Sequence, residues 1–154
     1  MFMKMVKFLT TACILGLFAL RGAHAVSPLI SHEEALSLNS EDGAGLIPSG
    51  ISQELGPKIE LTSPATSGEA LKSPIKLELL FMPRAASIDF TSLKVLYGRA
   101  RFDITSRVLG RARFNEDRLT LEEAHLPDGT HFFSVIISDS AGRLTRREFM
   151  LLIN

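Results

Sequence analysis

Short runs of alternating apolar and polar residues dominate the carboxy-terminal part of the chain. In the clearest run, Ile75, Leu77 and Leu79 alternate with Lys76 and Glu78, which is the period of a strand with one buried face. The same alternation recurs, with turn-forming residues between the runs, in 58–61, 92–97, 119–122, 131–137 and 149–153. Six or seven short strands joined by turns predict an all-β fold, an antiparallel β-sandwich of about seven strands.

The segment 126–143 predicts a turn, a strand and a second turn. Asp128-Gly129 supplies the positive φ that a tight turn needs and that glycine adopts without steric strain. The following strand places His131 on its buried face, and residues 139–142 turn the chain back. We therefore expect His131 to be buried at the start of this strand, with its ring against the sheet.

The same segment resembles the penultimate strand of bacterial immunoglobulin-like domains, which commonly reads L-x-D-G-x-Y-x-V-x-V-x-A-x-D-x-A-G-N. The corresponding positions here are Leu126, Asp128, Gly129, His131, Phe133, Val135, Ile137, Asp139, Ala141 and Gly142. Ser63-Pro64 followed by Gly68 resembles the first loop of that family. The resemblance covers 57–154 and implies an immunoglobulin-like sandwich. It says almost nothing about function, because sandwiches have many roles.

Two positions depart from the pattern of that family. His131 replaces the usual corner tyrosine, and Arg143 replaces the usual asparagine. The resemblance therefore implies a weakened corner hydrogen bond at His131, and the arginine argues against a calcium-ligating loop at the second turn.

Residues 1–25 have the features of a secretory signal peptide. Two lysines make the start positive, a short apolar run follows, and Ala23 and Ala25 fit the small-residue pattern of a cleavage site. The apolar run is shorter than a membrane span requires, so we expect no stable membrane span after cleavage. Arg21 leaves an uncleaved anchor as the alternative. The segment predicts export, to a periplasm or to the outside of the cell.

Cleavage after Ala25 leaves 129 of the 154 residues and no cysteine, because the single cysteine, Cys13, lies in the signal peptide. A domain of this size can bury its own core without disulfides. Three of the 17 basic residues lie in the signal peptide, so the mature chain has 14 basic and 17 acidic residues and a net charge of −3. That balance argues against a nucleic-acid partner.

Residues 26–56 differ in composition from the strands that follow them. Thirteen of these 31 residues are Gly, Ser, Pro or Asn, and all five charged residues are acidic, which is typical of a flexible leader. Ser31 and Glu34 form a capping-box pattern that could start a helix too short to be stable alone. The chain thus divides into a signal peptide (1–25), a flexible leader and one sandwich domain (57–154).

The sequence Gly-Arg-Ala-Arg-Phe occurs twice, at 98–102 and at 110–114, and we call this repeat the arginine echo. If both copies are strands on neighbouring edges, the alanines and phenylalanines face inward and the arginines share one outward basic face. The arginines of this candidate anionic-ligand surface are Arg99, Arg101, Arg111 and Arg113. Arginine suits carboxylate and phosphate groups, so the surface would bind an anionic glycan or a lipopolysaccharide phosphate. The alternative is a pair of solvated edge strands whose charges prevent edge-to-edge pairing.

Other chemistries have little support in the residues. His32, His125 and His131 do not have the spacing of a zinc site. Copper-carrier sandwiches of the periplasm have a similar architecture, but they need an amino-terminal histidine where this mature chain would have Val26. The aspartates stand singly beside turns rather than clustered as calcium ligands. The chain has neither a nucleophile elbow nor a glycine-rich phosphate loop, so no catalytic, metal or cofactor residue is predicted.

These observations together predict an exported, non-enzymatic binding or accessory module of the bacterial cell envelope, without identifying its ligand. The expected partner is an envelope protein or an anionic glycan. The alternative is a periplasmic carrier of a metal or a small ligand.

Overall fold

Strands make up most of the structure, as the alternation predicts. The computed structural model describes residues 27–39, 55–65 and 69–154, so the predicted signal peptide lies outside the described residues. The elements in chain order are α1 (His32–Asn39), β1 (Lys58–Ser63), β2 (Ile75–Met82), β3 (Ile88–Tyr97), β4 (Phe102–Asp103), α2 (Thr105–Leu109), β5 (Arg113–Asn115), β6 (Arg118–Ala124), β7 (Gly129–Asp139) and β8 (Leu144–Ile153).

Two antiparallel four-stranded sheets form a β-sandwich. One sheet has the strand order β1-β2-β6-β5, and the other has the order β4-β3-β7-β8. This arrangement confirms the all-β class and the antiparallel sandwich. The described residues contain eight strands rather than about seven, because the region of the arginine echo adds β4 and β5, of two and three residues.

The residues that the alternation places inward form the core between the sheets. Ile75, Leu79 and Phe81 of β2 are buried, and so are Phe133 and Ile137 of β7 on the opposite sheet. Burying each large apolar side chain stabilises the fold by about 1.5–3 kcal/mol. None of the helices in the described part of the chain is long and apolar enough to cross a membrane.

Both turns predicted around β7 are present. Gly129 has a φ of 129° and Gly142 a φ of 76°. In the second turn, the Asp139 carboxylate accepts hydrogen bonds from the backbone N–H groups of Ala141 and Arg143, each at 3.0 Å. The Arg143 side chain also donates to Asp139, at 2.7 Å. Arg143 therefore closes this turn with an ion pair.

The start of the predicted leader is packed into the core. Leu29 and Ile30 are fully buried, and the Leu29 N–H donates to the His125 carbonyl at 2.9 Å. The Ser31 N–H donates to the Glu34 carboxylate at 2.9 Å, and the Glu34 N–H donates to the Ser31 hydroxyl at 3.2 Å. The predicted capping box therefore starts α1.

The flexible leader predicted over 26–56 needs a correction in the part that the structure describes. Residues 27–39 pack on the sandwich. Burial of the two adjacent apolar side chains and the capped helix stabilise this packed form, although the surrounding sequence has the composition of a flexible segment. Gly56 lies so close to the Arg143 carbonyl that a β-carbon would collide with it. Residues 40–54 lie outside the described residues, and the division of the chain into domains stays a prediction.

Candidate anion-binding site

The two copies of the arginine echo lie on different sheets. The first copy forms the turn between β3 and β4, and the second leads from α2 into β5, at the edge of the opposite sheet. Arg99 and Arg101 line one cleft, and Arg111 and Arg113 line another. The structure therefore separates the four predicted arginines into two pairs instead of bringing them to one face.

The copies separate because neither of them is a strand throughout. In the first copy Gly98 has a φ of 72° and Arg101 a φ of 55°, and the Arg101 N–H donates to the Gly98 carbonyl at 3.2 Å. Strand parity therefore does not apply to these residues. Phe102 and Phe114, predicted to face inward, are 47% and 45% exposed.

The first pair of arginines belongs to what we call the arginine cleft, a depression of about 260 Å³ lined by Arg99, Arg101, Phe132, Ser134 and Glu148, with neighbouring residues. The guanidinium carbon of Arg99 lies 5.1 Å from the centroid of the Phe132 ring. This cation–π contact orients the guanidinium. A guanidinium stacked in this way keeps its N–H donors at its edge, where they can reach an anion.

Arg101 has a weak ion-pair partner at the same cleft. Its Nη2 atom lies 3.5 Å from Glu148 Oε1, and the two side chains are 30% and 55% exposed. An exposed ion pair of this kind contributes only about 0.2–1 kcal/mol. A ligand anion can therefore compete with Glu148 for the Arg101 guanidinium.

Ser134 lines the arginine cleft from the middle of β7. The residue is only 6% exposed, and its hydroxyl has no hydrogen-bond partner among the described residues. A buried polar group without a partner costs about 1–3 kcal/mol, so a ligand atom that bonds this hydroxyl would remove the penalty. Sequence reasoning missed Ser134, and the available signal was its outward position between Phe133 and Val135 on a strand of the predicted sandwich.

The second pair of arginines lies in a cleft of mixed charge. Arg111 and Arg113 line a depression of about 600 Å³ together with Glu122, Glu123 and His125. His125 Nε2 lies 3.9 Å from Glu123 Oε2. The two carboxylates offset the positive potential of the arginines, so this cleft suits an anion less well than the arginine cleft does.

His131 is fully buried at the start of β7, which confirms its predicted position. Its Nε2–H donates to the Pro127 carbonyl, and its Nδ1 accepts from the Tyr97 hydroxyl, both at 2.7 Å. The tautomer follows from the carbonyl, which can only accept. The expected weakening of the corner hydrogen bond is therefore wrong, because the imidazole reaches the backbone four residues upstream. Burial lowers the pKa of His131 and raises the pKa of Tyr97 to about 12.

The histidines considered as metal ligands have different surroundings. His32 is exposed on α1, His125 borders the mixed-charge cleft, and both ring nitrogens of His131 are hydrogen-bonded. Within residues 27–39, 55–65 and 69–154, no three His, Cys, Asp or Glu side chains form a group that could hold a metal ion.

Comparisons with known proteins leave the function to be argued from the site. No family model and no curated protein matches the chain. A crystal structure of CopC from Methylosinus trichosporium OB3b is similar at 11% sequence identity and a TM-score of 0.38, over 56% of this chain and 82% of that chain.

Proposed function

We propose that this protein is an exported, non-enzymatic binding module that holds an anionic group in the arginine cleft. The observation that supports this function best is the buried, unpartnered hydroxyl of Ser134 beside Arg99 and Arg101. A serine hydroxyl can donate one hydrogen bond, and each guanidinium presents several donors. Together they match the oxygen atoms of a phosphate, sulfate or carboxylate group.

The arginine cleft also has apolar walls, so its ligand should carry an apolar group beside the anionic one. Phe132 lies under Arg99, and Met150, which lines the same cleft, is 62% exposed. An anion attached to a sugar ring or a short apolar group would cover these side chains as it reached the arginines. An anionic glycan of the cell envelope fits this description, and periplasmic or extracellular location follows from the predicted signal peptide.

The fold of this module belongs, in our proposal, to the immunoglobulin-like class. The two sheets, β1-β2-β6-β5 and β4-β3-β7-β8, correspond to the order of strands A, B, E and D facing a sheet that contains C, F and G. His131, at the start of β7, bonds to the Pro127 carbonyl, as the corner tyrosine of that class bonds to backbone upstream of it.

The arginine echo provides a matched pair of variants that tests the function. The double variant Arg99→Ser/Arg101→Ser is expected to lose retention on immobilised heparin at low and moderate salt. The variant Arg111→Ser/Arg113→Ser, which removes the same net charge, is expected to keep most of the retention. The heparin retention of each double variant is measured at two salt concentrations, since screening by salt weakens contacts that depend only on charge.

The two variants also define the result that would contradict the proposal. Equal losses in both would mean that heparin responds to overall charge and that the arginine cleft is no specific site. Ser134→Ala, which removes the unpartnered hydroxyl at little change in volume, is expected to weaken binding without lowering the melting temperature. The alternative, a metal or small-ligand carrier, is tested by titrating metal ions into the protein, because a ligand of the folded state raises the melting temperature.

A further inference from the structure

We propose that helix α1 positions the two arginines of the arginine cleft, so that ligand affinity depends on the docking of the leader helix. This inference rests on the proposed function of the cleft. It assigns a role in binding to residues that lie outside the cleft and outside the sandwich. Three contacts at the end of α1 and one at its start support this role.

The last turn of α1 holds the backbone of the first arginine directly. The carbonyl of Leu38 accepts hydrogen bonds from the N–H groups of Arg99 at 3.0 Å and Ala100 at 3.5 Å. The last carbonyls of a helix have no partner within the helix. Here the turn formed by residues 98–101, which we call the arginine turn, supplies the partner, so the position of the Arg99 backbone depends on the position of α1.

Close steric fit supports the same dependence. A β-carbon at Gly98 would lie 2.6 Å from the Leu38 carbonyl oxygen and 2.9 Å from the Leu38 β-carbon. Gly98 also has a φ of 72°, a backbone conformation that residues with a side chain rarely adopt. The helix therefore packs on bare backbone at the residue that precedes Arg99.

Asn39, the last residue of α1, joins the helix to the neighbouring strands β3 and β7. Its amide nitrogen donates to the Tyr97 hydroxyl at 2.9 Å and to the Thr130 carbonyl at 3.0 Å. Tyr97 ends β3 just before the arginine turn, and Thr130 precedes Phe132 on β7 by two residues. Asn39 therefore connects the helix to the two segments that hold Arg99 and its aromatic partner.

The other end of α1 is anchored independently of the cleft. Arg107 of α2 donates to both carboxylate oxygens of Glu34, at 2.9 and 3.0 Å, and to the Leu29 carbonyl at 2.9 Å. A change at Asn39 can therefore loosen the end of the helix that meets the arginine turn while the Arg107 anchor and the buried Leu29 keep the leader attached.

The test measures binding of a heparin hexasaccharide to the full mature chain. Asn39→Ala is expected to weaken binding about five- to tenfold, in the range of typical coupling between two sites. Glu34→Gln, which loosens the opposite end, is the second variant and is expected to weaken binding in the same direction. Leu36→Ala is the matched control, because Leu36 is 64% exposed on the same helix, and its binding is expected to equal that of the wild type.

A second measurement separates positioning from a general loss of stability. Coupling is reciprocal, so the hexasaccharide must also favour the docked helix. Amide hydrogen exchange in 32–39 is expected to slow when the ligand is added to the wild type, and to respond much less in Asn39→Ala. All comparisons are made well below the melting temperature of each variant, with circular dichroism confirming the fold.

The outcomes distinguish this inference from the function on which it rests. If the wild type binds through Arg99 and Arg101, but Asn39→Ala and Glu34→Gln bind equally well and exchange does not change, the positioning role of α1 is overturned. If binding of the wild type does not depend on Arg99 and Arg101, the proposed function is overturned, and the inference with it.

Discussion

His131 combines a backbone contact and a side-chain contact within one small ring. The Pro127 carbonyl takes its one N–H, and the Tyr97 hydroxyl uses its other nitrogen as an acceptor. A tyrosine at this position could make the backbone contact with its hydroxyl, but it has no ring nitrogen that could accept from Tyr97. Histidine therefore joins β3 to β7 through Tyr97, at the position where α1 also contacts Tyr97 through Asn39.

Loss of the His131 ring is expected to destabilise the protein and to change its response to pH. Because burial lowers the pKa of His131 in the folded protein, the unfolded chain takes up a proton at higher pH than the folded one. Stability is then highest above the ordinary histidine pKa of about 6.5 and declines as the pH falls below it. His131→Leu should cost about 1–3 kcal/mol at pH 8, since the buried Tyr97 hydroxyl and the Pro127 carbonyl each lose a hydrogen-bond partner, and it should flatten this slope.

Urea unfolding between pH 8 and pH 5 measures both effects for His131→Leu. His125→Leu is the matched control, because it removes a histidine whose side chain is partly exposed, and it should cost less stability at pH 8 than His131→Leu does. An equally steep slope in His131→Leu would show that another group causes the loss of stability at low pH.

A side chain from elsewhere in the fold, that of Arg107, helps to hold helix α1. Glu34 closes the capping box with Ser31 and accepts two hydrogen bonds from Arg107 of α2. The hydrogen bond from Arg107, followed by the backbone contact to Ser31, lowers the pKa of Glu34 from 4.5 to about 2. An isolated helix of this length would be marginal in water, so α1 depends on these contacts and on the buried Leu29 and Ile30.

Replacing Glu34 by glutamine is expected to destabilise the protein in a way that disappears in acid. A carboxylate with a lowered pKa contributes its full stability above pH 4.5, and this contribution is lost as the pH falls towards 2. Solvent reaches about a third of both side chains of the Glu34–Arg107 pair, so we expect a loss of only about 1–2 kcal/mol at pH 7.

Chemical denaturation at pH 7 and at pH 3 compares Glu34→Gln with the wild type. Glu33→Gln, on the exposed face of the same helix, should change stability by no more than about 0.5 kcal/mol. A loss in Glu34→Gln that is as large at pH 3 as at pH 7 would contradict the role of the ionised carboxylate.

We expect the amino terminus of the mature protein to be Val26. Ala23 and Ala25 fit the subsites of the signal peptidase, and the buried Leu29 and Ile30 follow closely. Cleavage after Ala25 leaves both core residues in the mature chain, whereas cleavage beyond Ile30 would remove them. Mass spectrometry of the exported protein should give the mass of residues 26–154, and retention of residues 1–25 would contradict the signal peptide.

Much of the strand content could be predicted because alternation and turn chemistry are local. The alternation of Ile75, Leu77 and Leu79 appears in the structure as β2, and the turns at Gly129 and Gly142 lie where the residues predict them. The arginine echo was predicted less well. Strand parity requires an extended backbone throughout each copy, whereas Gly98 has a positive φ and begins a turn.

The residues alone determine the sandwich class, the burial of His131 and the capping box of α1, since each depends on neighbours within a few positions. Only the three-dimensional fold separates Arg99 and Arg101 from Arg111 and Arg113, packs Leu29 into the core and leaves the Ser134 hydroxyl without a partner. Spacing along the chain determines which face of a strand a side chain occupies. Which strand, helix end or turn meets that face depends on pairings between segments far apart in the sequence, and those pairings form the cleft.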